Sequence, residues 1–323
     1  MQNRDLATWA FRFVLIVGIA NLFADMTYEG ARSITGPFLG SLNASATTVG
    51  FLVGFGELVG YRLRSFSGYL ADRSRKYWLF VFVGYAVNML AVPALELAGS
   101  WPVAAVFIIL ERTGRAIRRP ATETMISHAG KSIGGWVFGL NEALDQTGAT
   151  VGPLVVALVL YLRGSYQSAF AVLMISALLC LVVLTVARVH FPHPDELEGK
   201  SAELLRTKGF SKTYWIYFFA GALIAAGFAD FALIAFHFQK GGIVPQSTIP
   251  VLYAVAMATG ALSALVFGRL FDTWPANSAP SIFPLRVLCS VRFFWWLNTC
   301  THWNGSLGNW HWSTGLVAQS CPG

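Results

Sequence analysis

Polar and charged side chains interrupt the first long apolar stretch of the chain, residues 9–39. Ionisable groups inside such a stretch are costly unless they are paired or face water, so they are candidates for function. At 100° per residue they fall on one helical stripe about 100° wide. The stripe consists of Asn21, Asp25, Tyr28, Glu29 and Arg32.

Two interpretations of this stripe are open. In the first it lines a polar cavity, with Asp25 or Glu29 carrying a proton and Arg32 setting the local potential. In the second, Arg32 forms an ion pair with Glu29 or Asp25 within the helix, and the role of the stripe is structural.

A second group of polar residues lies beside a close-packing pattern. Gly148 and Gly152 are four residues apart, which lets another helix approach closely, and Pro153 bends its helix by removing a backbone donor. Packing alone explains the glycines. Asn141 and Asp145 share their face, and we expect both to belong to a solute or proton path.

Three more residues complete the candidates. Glu57 lies among glycines in an apolar stretch, with the same choice between a packing and a path role. Asp230 and His237 are seven residues apart and would share a helix face. An imidazole suits proton handling near neutral pH, although His237 is close enough to a helix end to be simply solvated.

The elements that position these residues follow from composition. Hydrophobic residues make up 55% of the chain and charged residues 12%, against about 25% charged in soluble domains. The net charge of +7 is spread between apolar stretches, which argues against a nucleic-acid partner. The four cysteines have no metal or disulfide spacing, and nucleophile-elbow and HExxH patterns are absent, so we expect neither an enzyme nor a metal or cofactor site.

The apolar stretches predict about eight membrane-spanning helices, since about 20 residues cross a bilayer. Basic residues follow the second, fourth and sixth stretches, which places the N-terminus in the cytoplasm of a cell-membrane protein with a retained signal-anchor. Glu111, Arg115, Arg119 and Glu123 carry both signs of charge at i, i+4 spacing and predict a charged helix face below the membrane. The predicted spans are 9–39, 47–63, 77–97, 101–116, 134–162, 168–189, 214–238 and 251–271.

This pattern divides the chain into four parts. Residues 1–190 form a six-helix bundle, 191–212 a polar cytoplasmic linker, and 213–272 the first two helices of a second bundle. Phe23-Ala-Asp25 recurs as Phe228-Ala-Asp230, a weak internal echo of the kind that repeated transporter bundles show.

The last part, residues 273–323, differs in character. It has no Asp, Glu or Lys, yet it holds six of the eleven tryptophans and three of the four cysteines. It also has neither helical nor strand periodicity. We expect an out-of-frame or truncated coding sequence near Thr273, with a genuine divergent tail as the alternative.

Two motifs resemble the major facilitator superfamily. The order Gly68-Tyr-Leu-Ala-Asp72-Arg73, followed by Lys76, is similar to its loop between helices 2 and 3, except that Arg75 replaces the second glycine. Gly148-Ala-Thr-Val-Gly152-Pro153 resembles its antiporter-associated motif.

The resemblance implies a fold and an activity. The fold would be an all-α polytopic membrane protein with a complete first bundle and an incomplete second one. The activity would be proton-coupled efflux of a small solute by alternating access, as a monomer in the lipid bilayer. Gly68, Asp72, Arg73 and Lys76 would form the loop that controls the conformational switch. The alternative is an inactive or regulatory membrane fragment derived from such a transporter.

Overall fold

The structure is a computed structural model that describes residues 2–133, 136–193 and 230–273, together with 212, 215, 216, 218, 219 and 223. Within these residues all regular structure is helical, as the composition predicted. The helices are α1 (Gln2–Ser41), α2 (Ala46–Ser74), α3 (Tyr77–Ala94, extended by a 3₁₀ turn at Leu95–Leu97), α4 (Trp101–Ile133), α5 (Trp136–Arg163), α6 (Tyr166–His190), α7 (Phe231–Lys240) and α8 (Thr248–Thr273).

Short polar turns join the first helices. Asn43 adopts a left-handed backbone, with φ 63°, in the turn after α1. Ser45 caps α2, because its hydroxyl oxygen accepts a hydrogen bond from the Thr48 amide at 3.1 Å. Arg75 ends α2 with φ 53°, the conformation in which a helix usually ends on glycine.

Helix α1 lies at the centre of the compact unit formed by residues 1–264, packed against α3, α4, α5, α6 and α7. Two apolar clusters surround it. One includes Phe13, Trp78 and Leu184, and the other includes Ile34, Phe38 and Phe170. The stretch of α1 between these clusters carries the polar stripe, so the polar residues lie inside the bundle.

The outer surface is apolar. Phe51, Leu58, Ile175 and Val182 are all more than half exposed, which suits contact with lipid chains. Within the described residues, four helical segments are long and apolar enough to cross a membrane, namely Ala7–Ser41, Tyr77–Leu97, Gly139–Arg163 and Tyr166–His190. An apolar exterior around a polar interior confirms the predicted multi-pass membrane class.

Two predicted spans lie within longer helices, and a third is not one continuous helix. The second and fourth spans, predicted as 47–63 and 101–116, belong to helices that run to Ser74 and Ile133. The seventh, predicted as 214–238, is not one continuous helix, because Asp230 has an extended backbone and α7 begins after it. Hydropathy marks only the part of a helix that is apolar enough to contact lipid. The helix itself can continue into polar residues, because its backbone hydrogen bonds do not depend on hydropathy.

Two other predicted parts lie outside the described residues. Residues 194–211 are most of the predicted linker, and residues 274–323 are nearly all of the atypical tail. Both stay predictions.

Candidate functional site

Charged and polar side chains from α1, α2, α4 and α5 gather in a layer between the two apolar clusters. Two water-accessible cavities open in this layer, of about 330 Å³ and about 300 Å³. Cavity A, the larger, is lined by Tyr28, Glu29, Arg32, Glu57, Gly60, Tyr61, Arg64, Arg112, Arg115, Ala116, Arg119 and Asp230. Cavity B is lined by Asn21, Asp25, Tyr28, Arg118, Arg119, Thr122, Glu123, Ile126, Asn141, Glu142 and Asp145.

The α1 stripe divides between these cavities. Asn21 and Asp25 line cavity B, Glu29 and Arg32 line cavity A, and Tyr28 lines both. Asn21, Asp25, Tyr28 and Glu29 are each no more than 9% exposed. The cavity-lining interpretation therefore describes all five residues.

A chain of hydrogen bonds crosses the wall of cavity B. The Tyr85 hydroxyl donates to Asn21 Oδ1, and Asn21 Nδ2 donates to Asn141 Oδ1 at 2.9 Å. Asn141 Nδ2 then donates to Asp145 Oδ2 at 3.2 Å. Asp145 Oδ1 is buried without a hydrogen-bond partner among the described residues. One carboxylate oxygen therefore stays free to take a proton.

Arg118 lines cavity B together with Asp25 and Asp145. Its side chain is buried and lies over two aromatic rings, 4.3 Å from the Tyr85 centroid and 5.7 Å from that of Tyr28. Within the described part of the chain it makes no ion pair closer than 4.0 Å, and its Nε has no hydrogen-bond partner. Two buried carboxylates of cavity B therefore have no close ion pair with Arg118, and uncompensated charge is costly in a buried site.

The wall of cavity A is held by ion pairs between helices. Arg32 Nη2 lies 2.8 Å from Asp230 Oδ2 and 3.7 Å from Glu57 Oε1, while its Nη1 lies 3.9 Å from Glu29. Arg112 donates to Glu57. The network therefore joins α1, α2 and α4 to the residue that precedes α7.

Asp230 and Glu29 extend this network to the later helices. Asp230 is the N-cap of α7, since its Oδ1 accepts from the Ala232 amide at 2.9 Å. The Tyr253 hydroxyl of α8 donates to Glu29. The intrahelical Glu29–Arg32 pair, at 3.9 Å, is thus the longest of several contacts that these two residues make.

The arginines of α4 were misplaced by sequence reasoning. The predicted charged face below the membrane included Glu111 and Arg115, but Glu111, Arg112 and Arg118 are buried inside the bundle. Asn88 Nδ2 of α3 donates to both the carbonyl and the side chain of Glu111, at 3.0 Å and 3.1 Å. The i, i+3 and i+4 spacing of these charges, directly after an apolar helix, is the signal that could have located them.

The other half of that face is exposed as predicted. Glu123 pairs with Arg119 at 3.2 Å and with Arg64 of α2 at 2.8 Å, at the exposed rim of the cavities. The arginines that directly follow the second and fourth predicted spans therefore belong to helices. The basic residues that remain in the connection between α2 and α3 are Arg75 and Lys76.

The motif residues lie away from both cavities. Gly68, Asp72 and Arg73 are in the last turns of α2, and Lys76 directly precedes α3. Gly68 faces α4, because a Cβ built there would lie 3.3 Å from Pro120 Cβ. His237 is exposed on α7 and does not join Asp230.

The packing motif of α5 meets α1 directly. A Cβ built on Gly148 would lie 3.0 Å from Asp25 Cβ, and one on Gly152 would lie 2.8 Å from Met26 Cα. Pro153 is in the same helix. Among the described residues no group of His, Cys, Asp and Glu could hold a metal ion.

Comparison with known proteins gives the family. A family model described as Major Facilitator Superfamily matches residues 16–318. Uncharacterized proteins of Mycobacterium tuberculosis and Mycobacterium bovis are 39% identical over 291 residues, which covers 88% of this chain and 71% of theirs. An uncharacterized MFS-type transporter of Methanocaldococcus jannaschii is 25% identical over 268 residues, covering 80% of this chain and 66% of that protein.

Solved structures show the same fold. A bacterial homologue of the human lysosomal transporter Spinster, in an inward-facing and unoccupied conformation, matches with a TM-score of 0.62 at 14% identity. A peptide transporter in complex with sulfate matches with a TM-score of 0.50 at 17% identity. The match covers 83% of this chain and 64% of the first structure, and 79% of this chain and 50% of the second. The chain thus spans about half to two-thirds of their length.

Proposed function

Because the chain belongs to the major facilitator superfamily, we propose that it carries a small solute across the cell membrane by alternating access, in proton-coupled export. The observation that carries this proposal is the polar layer itself, with two cavities inside an otherwise apolar bundle. A membrane protein keeps buried charges at such a cost mainly where a path needs them. The path residues are Asn21, Asp25, Tyr28, Glu29, Arg32, Glu57, Asn141, Asp145 and Asp230.

Asp25 and Asp145 are the proposed proton carriers. Glu29 is engaged by Tyr253 and lies near Arg32, so its charge is already compensated. Asp25 and Asp145 instead line cavity B with Arg118 without a close ion pair, and Asp145 has an unbonded oxygen. The lining of cavity B holds four carboxylates and two arginines, so adding one proton to this pair reduces its excess negative charge. Releasing it restores an attraction to Arg118, so proton transfer changes the forces between α1, α4 and α5.

The contacts between α1 and α7 are the proposed closed gate. Arg32 pairs with Asp230, and a Cβ on Gly36 would lie 3.1 Å from the Phe236 amide nitrogen. These contacts bring the two helices together at one end of cavity A. In alternating access they would separate, which exposes the cavity to the opposite side.

Orientation and switching are proposed from the α2–α3 connection. Arg73, Arg75 and Lys76 cluster there, whereas the turns at 42–45 and 98–100 carry no Lys or Arg. This asymmetry supports a cytoplasmic N-terminus. Asp72 and Arg73 are exposed, which leaves them accessible to a second bundle, and we propose that they regulate the switch together with Gly68 and Lys76.

The proposal is tested with the full chain reconstituted into liposomes that contain a pH-sensitive dye. Succinate, phosphate, alanine, glucose and ethidium are offered in turn, and solute-dependent proton flux is measured. We expect at least one of them to drive proton flux, and Asp145→Asn and Asp25→Asn each to reduce it about tenfold or more, since the carrier is lost. Glu96→Gln, an exposed carboxylate outside both cavities, is the matched control.

One result would contradict proton coupling through Asp25 and Asp145. If the Asp25→Asn, Asp145→Asn double variant transports a solute with the proton flux of the original protein, cavity B is not the proton site. If no offered solute drives proton flux in the original protein or in any variant, the result supports the alternative, an inactive or regulatory membrane fragment.

A further inference from the structure

We propose that cavity A binds an anionic group of the solute, a carboxylate or a phosphate, and that Arg115 is the residue that holds it. The inference rests on the proposed transport function and specifies its solute class. It starts from the composition of the wall, where five arginines face three carboxylates. Guanidinium groups are the donors that proteins use most often for bidentate contacts with such anions.

Most of these arginines are already engaged. Arg32 is held by Asp230 at 2.8 Å and Arg112 by Glu57. Glu123 holds Arg64 with two hydrogen bonds, at 2.8 Å and 2.9 Å, and also contacts Arg119. These contacts join helices or lie at the rim of the cavities, although Nε of Arg32 and Nε of Arg112 are buried without a hydrogen-bond partner among the described residues.

Arg115 differs from the other four in combining a contact through Nε alone with a mostly buried side chain; Arg119 also contacts its carboxylate through Nε alone, but its side chain is 45% exposed. The contact of Arg115 with a carboxylate is made by Nε, which lies 3.5 Å from Glu111 Oε1. In the part of the chain that the structure describes, its two terminal nitrogens have no hydrogen-bond partner, although its side chain is only 14% exposed. Arg115 lines cavity A, so a ligand anion there could accept hydrogen bonds from both terminal nitrogens.

Two features prepare Arg115 for this role. Its guanidinium lies 4.7 Å from the ring centroid of Tyr28, which restricts the plane of the fork. Asn88 donates a hydrogen bond to Glu111, and this fixes the carboxylate that Nε of Arg115 contacts. A positioned fork in a partly dehydrated cavity binds an anion more strongly than one in water. A cavity of about 330 Å³ also suits a small solute.

The competing interpretation is a purely structural network. Glu111 and Glu123 approach the arginines from outside the cavity A wall, so the whole group is close to neutral. In that case the free nitrogens of Arg115 would bind water alone. The two interpretations differ in whether anions bind saturably.

The experiment measures thermal unfolding of the full chain, purified in mild detergent and titrated with sodium sulfate, phosphate or succinate. Sodium chloride at equal ionic strength gives the baseline. We expect at least one of the three anions to raise Tm saturably. Stabilisation by succinate alone identifies a carboxylate ligand, and stabilisation by phosphate and sulfate alone identifies a phosphate-type ligand.

Variants locate the site. Arg115→Gln should raise the apparent Kd for that anion about tenfold or more, which is the usual effect of losing a charge-assisted hydrogen bond. Arg115→Lys keeps the charge beside Glu111 and should fold even if Arg115→Gln does not, yet it loses the fork and should also bind more weakly. Arg62→Gln removes an exposed charge of α2 outside both cavities and should bind as the original protein does.

Two results overturn the inference. The first is that none of the three anions raises Tm above the chloride baseline. The second is that Arg115→Gln, or Arg115→Lys if the former does not fold, retains the original affinity. Neither result affects proton coupling at Asp145. Conversely, anion binding with unchanged proton flux in Asp145→Asn leaves this inference standing and removes the proposed proton site.

Discussion

Replacing Gly152 by alanine tests how closely α5 approaches α1. A Cβ at this position would approach the Met26 carbonyl oxygen most closely and would lie 2.8 Å from both Cα and the carbonyl carbon of Met26, all of them backbone atoms. Carbon atoms in ordinary contact are about 3.5–4.0 Å apart. The two helices would therefore have to separate by roughly 1 Å, because no flexible side chain can move aside.

Two opposing effects set the size of the change. Overpacking of this kind costs about 1–3 kcal/mol. Alanine in a helix is favoured over glycine by about 1 kcal/mol, which offsets part of that cost. We therefore expect Gly152→Ala to lower the free energy of unfolding by about 1 kcal/mol.

A matched variant removes the uncertainty about helix propensity. Gly54 is exposed on α2, and a Cβ there would meet nothing within 4 Å. Gly54→Ala should therefore show the propensity gain alone, about 0.5–1 kcal/mol of stabilisation. The difference between the two variants, about 1–3 kcal/mol, is the steric cost.

The assay is SDS-induced unfolding in mixed micelles, followed by intrinsic fluorescence. Both variants and the original protein are measured in the same detergent. If Gly152→Ala is as stable as Gly54→Ala, then α5 and α1 are farther apart than described, and the close-contact argument is refuted.

Three further predictions use the same unfolding assay. Arg32 and Asp230 form a partly buried ion pair, so Arg32→Gln and Asp230→Asn should show a coupling energy of about 1 kcal/mol in a double-mutant cycle. Additive effects of the two substitutions would contradict the α1–α7 contact. Arg75→Gly should stabilise the protein by about 0.5–1 kcal/mol, since Arg75 has a left-handed backbone at φ 53°, and a loss of stability would argue against that conformation. Asn88→Ala should cost about 1–3 kcal/mol, because Glu111 loses a buried donor; an unchanged midpoint would show that the donor is dispensable.

The polar stripe of α1 shows how much of the site is predictable from sequence. A helix repeats every 100°, so the spacing of Asn21, Asp25, Glu29 and Arg32 alone places them on one face. Their cost in lipid then requires that this face point inward. In the structure these residues line the two cavities. Their spacing was enough to predict a shared face because one continuous helix carries all of them.

Arg118 shows where local reasoning ends. It is 93 residues from Asp25 and 27 from Asp145, and its place in cavity B depends on how α4 packs against α1, α2 and α3. As one of the basic residues that follow the fourth apolar stretch it indicated topology, whereas inside the bundle it lines a cavity with two buried carboxylates. The charges of one helix do not show which charges of another will compensate them.

The sequence by itself determined the all-helical membrane class, because apolar composition and segment length are properties of each stretch alone. It also determined the face on which the α1 residues lie. The tertiary structure decided the division of that face into two cavities, the burial of the α4 arginines and the role of Asp230 as a helix cap paired with Arg32. These depend on contacts between helices distant in the chain, and the free energy of a buried charge is set by the partners that packing brings to it.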